Sequence, residues 1–317
     1  MSSSKKWKIH SIQEPELETP VVKSPKLNKL YPEDVIAMSF SGITIFILVY
    51  YISAGEINNT SSIIAPVVSL LVFSFLAVYQ KSSGSRVLKF LRSYLHIPLY
   101  GIIFSAFQVF VHVLNPTDYD TLLLKWDYSV FGFDITRWFE HYVSKGLTEI
   151  LTLSYFSYYV FPSLTFVLLY FSKNTSAFTN ARNYLLAIVI GWYGAFIFYV
   201  LLPAAGPDIA FPENYTIPLQ GLSPLTNTYL ENLAKYLKES FVRNTFPSMH
   251  FAIILITNYF AFRYKRKYFW FATLPIGTLL AIATVYLRQH YLIDLVGSLP
   301  VAAISIYISF LLIKKGH

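Results

Sequence analysis

The sequence contains no cysteine, which excludes disulfides, thiolate metal sites and cysteine nucleophiles. Charge is scarce as well. Asp, Glu, Lys and Arg make up 13% of the residues, against about 25% in soluble domains. With half the usual solvating surface missing, an ordinary soluble globular fold is excluded. Acidic residues are the scarcer sign, 17 against 25 basic ones. A net charge of +8 would suit a nucleic-acid partner, but the distribution of that charge gives another account of it.

What is present is apolar. Hydrophobic residues make up 55% of the chain and the mean hydropathy is +0.48. Several runs approach the ~20 apolar residues that cross a bilayer as a helix. Eight spans are expected, near residues 35–54, 62–79, 95–114, 148–172, 184–203, 247–263, 268–287 and 290–313. The first begins near Val35 behind a polar stretch, too far in and too long for a cleavable signal. Residues 1–33, with six lysines and four prolines, read as a cytoplasmic tail without ordered structure.

Taking alternate connections as one side, 18 of the 25 Lys and Arg residues fall with the tail, and 7 fall opposite. The richer side should be cytoplasmic, with both termini inside. The positive charge is then a topology signal, and no nucleic acid is required. Two outer segments are long, 115–147 and 204–246. In the first, "DYDTLLLKWDYSVFGFDITRWFEHYVSKGL" spaces Leu, Trp and Phe among charges, as interfacial helices do. Connections of that length usually carry function, so activity is expected to face outward.

Two short stretches carry chemistry. "NTFPSMH" (244–250) opens the sixth span and "YLRQHYLID" (286–294) opens the eighth; the topology puts both at the same face. His290 and Asp294 are four apart, one helical turn on a shared face. An intramembrane Asp is costly unless paired, and a carboxylate that accepts one imidazole N–H frees the other nitrogen as nucleophile or base. Pro247 suits a first helical turn. The Ser248 hydroxyl and the free amides behind it suit an anion, and a phosphate above all. His250 would stand beside that anion, and Arg243 and Arg288 are the nearest candidate charge partners. His290 would attack phosphorus, Asp294 would stabilise the imidazolium, and His250 would carry the proton.

The pair "PSMH" and "HYLID", in this order and with this gap, resembles the second and third signature motifs of the type-2 phosphatidic acid phosphatase (PAP2) superfamily. "FPSMH" with "TVYLRQHYLIDLVGS", the stretch "DYSVFGFDITRWFE" and "LLPAAGPD" are similar to its inositol phosphorylceramide synthase branch. The resemblance covers about residues 115 to 300. It implies a six-helix core within an all-α integral membrane bundle of about eight transmembrane helices. It also implies catalysis without metal or other cofactor, and a phosphohistidine intermediate on His290 with Asp294 and His250 as its partners.

The expected substrates are a lipid phosphate or phospholipid donor and, for a transferase, ceramide or another lipid alcohol as acceptor. Two departures stand out. No Arg-Pro pair of the first motif occurs, and Thr284 stands where an arginine usually precedes the nucleophile. The synthase branch departs at the same places, leaving Arg243 and Arg288 as the substitutes.

Other readings compete. Two histidines and an aspartate match three zinc ligands, but no glutamate lies near to serve as base. A phosphatase would use the same triad with water as acceptor, and a non-catalytic partner or transporter could keep the scaffold. His96, His112 and His141 read as structural. The expected organisation is the tail, then N-terminal membrane helices over 34–114, then a PAP2-like catalytic region over 115–313.

Overall fold

The computed structural model describes residues 30–83, 85–239 and 242–315. The expected cytoplasmic tail therefore lies almost wholly outside the described residues, apart from 30–33. No strand occurs among the described residues. The helices, in chain order, are α1 (Pro32–Ser53), α2 (Ile64–Ser83), α3 (Arg86–Tyr94), α4 (His96–Leu114), α5 (Asp120–Phe131), α6 (Ile135–Trp138) and α7 (Lys145–Tyr170). They continue with α8 (Ala177–Leu201), α9 (Pro207–Ala210), α10 (Pro224–Glu239), α11 (Met249–Tyr264), α12 (Arg266–Tyr268), α13 (Leu274–Tyr286) and α14 (Leu292–Lys315).

Seven helical stretches are long and apolar enough to cross a membrane: Pro32–Ser53, Thr60–Gln80, Arg86–Leu114, Lys145–Tyr170, Ala177–Leu201, Arg266–Tyr286 and Leu292–Lys314. The protein is an all-α, multi-pass integral membrane bundle. The remaining expected span, 247–263, is the 16-residue α11. At 1.5 Å per residue it covers about 24 Å, short of a full bilayer. Its neighbours are α7, α8, α13 and α14, so it runs through the middle of the bundle.

The centre is α8, which touches α14, α7, α1, α11 and α4. Tyr184, Leu185, Leu186, Ala187, Ile188 and Val189 are all fully buried. A helix that is apolar all round and buried all round is a core helix. Aromatic rings fill the seams, with Phe196 stacked on Phe40 of α1 and packed on Phe107 of α4.

The first span starts earlier than its hydropathy suggests. Glu33 reads as a tail residue in the sequence and Asp34 as lying just ahead of the first apolar run, yet both are fully buried in the first turn of α1. Glu33 takes Arg182 of α8 in a two-pronged pair, at 2.7 and 3.0 Å. Asp34 binds the Arg92 guanidinium and His96 Nε2, and Arg92 also reaches Gln80 at 2.9 Å. The Tyr31 ring contacts both guanidiniums. Full pairing is what lets these charges sit in the bundle. His96, read as structural, belongs to this cluster. From Arg182 to the far end of α8 is 19 residues, about 28 Å, and the two histidine motifs lie at that far end.

Candidate active site

Two helix starts and one turn build the site. Ser248 caps α11, its Oγ accepting from the Phe251 amide at 3.4 Å, as an N-cap serine does. Between α13 and α14 the Thr284 carbonyl accepts the amides of both Gln289 and His290, each at 3.1 Å. That contact folds the chain back sharply, with Arg288 at φ 63°. Asp294 sits in the first turn of α14, and its Oδ2 accepts from the Tyr291 amide at 2.9 Å.

The turn aims His290. Its Nδ1 lies 3.0 Å from the Thr245 carbonyl and 3.2 Å from Asp294 Oδ2. Both partners are acceptors, which assigns the ring proton to Nδ1 and leaves the Nε2 lone pair free. Nε2 faces His250 Nδ1 at 3.3 Å. The structure thus brings His250, His290 and Asp294 into one chain of contacts.

The two helix starts are stitched to each other. The Ser248 amide donates to the Asp294 carbonyl at 3.1 Å, and the Ser298 hydroxyl lies 2.6 Å from the Ser248 carbonyl and 2.8 Å from that of Asp294. Close approach requires glycine at two positions. A Cβ on Gly297 would come 2.7 Å from the Phe246 ring, and one on Gly206, at φ +94°, would come 2.7 Å from the Gln289 carbonyl oxygen.

His250 and His290 line a cavity of about 470 Å³. Its wall is aromatic, with Tyr100 and Phe104 of α4, Tyr155, Tyr158 and Tyr159 of α7, and Trp192 and Tyr199 of α8. Asn244, Thr245 and Gln289 add neutral polar groups, and no Asp, Glu, Lys or Arg is among the described lining residues. A second cavity, of about 460 Å³, shares Leu233 and Gln289 with the first. Its wall mixes the charged and polar side chains of Asp208, Gln220, Asn227, Glu231 and Arg288 with Leu219, Leu230 and Leu287.

The model of the PAP2 superfamily matches residues 121–308, which hold α7, α8, α11, α13 and most of α5 and α14. The chain belongs to the PAP2 superfamily. It is also 24% identical over 301 residues to a PA-phosphatase related-family protein of Dictyostelium discoideum. That alignment takes in 82% of this chain and 53% of the relative, so the chain spans about half the relative's length. No solved structure matches.

In this PAP2 chain the 115–147 segment braces the His290 turn, a role that its sequence pattern did not reveal. Asp120, at the start of α5, accepts from the amides of Ala205 and Gly206 at 2.9 and 2.8 Å and from the Tyr291 hydroxyl at 2.8 Å. Asp127, two turns further along the same helix, accepts from the amides of Leu292 and Ile293 at 2.9 and 2.6 Å. It thereby caps α14 from another helix. Burial raises the pKa of both carboxylates, against the lowering effect of these hydrogen bonds. In sequence the two acids look like the polar face of an interfacial helix. Their seven-residue spacing, two turns apart on one face, was the available signal.

Of the three residues expected to grip phosphate, the two arginines are placed elsewhere and the Ser248 hydroxyl is engaged as a helix cap. Arg243 forms an ion pair with Asp118, and Arg288 donates to the Ile217 carbonyl at 2.6 Å and lies 3.8 Å from both Glu140 and Asp208. Neither lines the histidine cavity. The Ser248 hydroxyl is fully buried in its capping bond. The acids that draw both arginines away are remote in sequence, so spacing gave no warning of them.

Proposed function

We propose that this PAP2 protein is a membrane lipid phosphotransferase of the inositol phosphorylceramide synthase kind. The observation that carries the reading is the His290 ring, fixed at Nδ1 by Thr245 and Asp294 with Nε2 open toward His250. A phosphoryl group entering between the two rings would meet a nucleophile on one side and a proton carrier on the other. His290 Nε2 attacks phosphorus, the bond to the lipid oxygen breaks, and His250 gives that oxygen its proton. In the second half the acceptor hydroxyl loses its proton to His250 and attacks phosphorus. The P–N bond breaks and His290 returns to its first state. Asp294 stays an orienting partner and offsets the charge on the phosphorylated ring.

The two cavities suit a phosphodiester donor. The aromatic one offers an apolar wall for lipid chains, and the second, which adjoins it through Gln289, has Asp208, Glu231 and Arg288 in its wall to meet a water-soluble head group. Ceramide or another lipid alcohol would be the acceptor. In this reading both termini are cytoplasmic and the site faces outside or the lumen, as the 18-to-7 division of Lys and Arg supports. Residues 115–313 would form the catalytic region, with 34–114 an N-terminal membrane unit. The phosphate would be held by helix-start amides and neutral side chains, since Arg243 and Arg288 are engaged elsewhere.

A second reading, favoured by the printed name of the Dictyostelium relative, is a lipid phosphate phosphatase in which water is the acceptor. Purified protein in lipid-detergent micelles, beside His290→Ala, separates the two. Each is given phosphatidate, an isoprenyl diphosphate, or phosphatidylinositol with ceramide, and lipid products are read by mass spectrometry. A new phosphodiester lipid made only by the unmutated protein establishes transfer. Phosphate release without a new diester establishes the phosphatase, and identical profiles for both proteins overturn the His290 mechanism for these substrates.

A further inference from the structure

Two tyrosines of α7 lie against the imidazole of His250. The Tyr155 ring is stacked on it with centroids 4.5 Å apart and planes at 27°, and the Tyr158 ring is 4.4 Å away at 47°. Residues three apart share a helix face, so one turn of α7 presents both rings. Tyr158 is itself held, because the Trp192 indole N–H of α8 donates to its hydroxyl at 3.0 Å. That indole stacks on Tyr100 of α4 at 4.2 Å and 5°. Three helices thus fix the rings that fix His250.

The surroundings leave these rings an electrostatic task. A proton carrier must pass through an imidazolium form, and a cation away from water needs an anion or its equivalent. His290 contacts His250 directly, and Asp294 is bonded to the opposite edge of His290. The other titratable groups of the cavity are tyrosines, and no carboxylate is among its described lining residues. A tyrosine face attracts a cation, the more strongly when the pair is desolvated.

We infer that Tyr155 and Tyr158 are positioning residues that hold His250 in its reacting orientation and stabilise its protonated form through their π faces. The inference rests on the proton-carrier role proposed for His250. It accounts for two stacked tyrosines where bulk alone would be met by leucine or methionine.

The test keeps shape constant and changes only the π face. Position 158 is filled with phenylalanine, then with mono-, di- and trifluorophenylalanine, in the full-length protein in micelles. Turnover of whichever lipid the unmutated protein consumes is followed, with the His290→Ala protein as blank. Tyr158→Phe, which also gives up the Trp192 bond, sets the reference rate for the series. Across the fluorinated series kcat should fall stepwise, by about tenfold overall, with KM held within twofold. The protonated fraction of His250 at one fixed acidic pH, read by nitrogen NMR of histidine-labelled protein, should fall in the same order. That second readout needs no turnover, so failure of the phosphotransfer reading and failure of this one are distinguishable. Equal kcat and equal protonated fractions from phenylalanine to trifluorophenylalanine would reduce the rings to packing and overturn the inference.

Discussion

The hydroxyl of Tyr291 donates to the carboxylate of Asp120 at 2.8 Å, across 171 positions of the chain. Tyr291 follows His290 directly, so helix α5 is bonded to the turn that carries the candidate nucleophile. The same carboxylate accepts the amides of Ala205 and Gly206. One fully connected acid therefore joins three segments around the site, at a place where a half-satisfied network would cost more than an apolar one.

Removing that bond should loosen the turn without touching the reacting atoms. Tyr291→Phe is expected to lower kcat by about 10- to 100-fold, the range for displacing a reacting group by about 1 Å. Asp127→Ala, which strips the cap from α14, should do the same and also cost about 1–2 kcal/mol of stability. Initial rates across substrate concentration, with thermal unfolding in micelles, check both. An unchanged kcat in both variants would show that the brace is dispensable.

Asp294→Asn keeps the shape at position 294 and removes the charge. In the proposed mechanism kcat falls by about 10²- to 10⁴-fold, while His290→Ala abolishes turnover. A rapidly quenched reaction should show an acid-labile, base-stable phosphoryl group on the unmutated protein and none on His290→Ala. Equal labelling of the two would remove His290 as the nucleophile.

At the other end of α8, the Arg182–Glu33 pair is buried on both sides. Arg182→Ala leaves Glu33 without its ion-pair partner and should destabilise the protein by about 3–5 kcal/mol. Because the cluster lies about 28 Å along α8 from the site, turnover per folded molecule should stay near that of the unmutated protein. A melting curve and an activity assay on the monodisperse fraction test the two halves separately.

Glu140 gives a pH-dependent contact outside the spans. Partial burial pushes its carboxyl up, but the amides of Ile217 and Thr216 and the Arg288 charge outweigh this, and its pKa lies below the usual value. A lowered carboxylate stabilises the folded form above the ordinary glutamate range, and that contribution is lost as pH falls through the lowered value. Hydrogen exchange at Thr216 and Ile217, corrected for intrinsic rates, should show protection fading on acidification. Glu140→Gln should show weaker protection with no such step.

Most of the bundle was legible because hydropathy runs report what lipid demands. Seven of the eight expected spans reappear as long apolar helices, with ends shifted by a few residues to several. The largest of these shifts share a cause. Glu33, Asp34, Arg92 and Arg182 look like residues that belong in water, yet pairing buries them and extends α1, the Arg86–Leu114 stretch and α8 beyond their apolar runs. Hydropathy is a sum over single residues and cannot register a charge cancelled by a partner 149 positions away.

The motif residues divide in the same way. Local spacing put His290 and Asp294 within reach of each other, although His290 lies in the turn ahead of α14 and only Asp294 is on that helix, and the order of the hydrophobic runs brought "PSMH" and "HYLID" to one end. The identities of those residues carried the family. Tertiary structure alone decided which His290 nitrogen is free, because the Thr245 carbonyl that fixes it comes from another loop. It alone turned Arg243 toward Asp118 and Arg288 toward Glu140 and Asp208. It also made Asp120 and Asp127, which in sequence look like the wet face of an interfacial helix, the buried acceptors of the turn. Long-range polar contacts depend on direction as well as proximity, and direction exists only once the helices have packed.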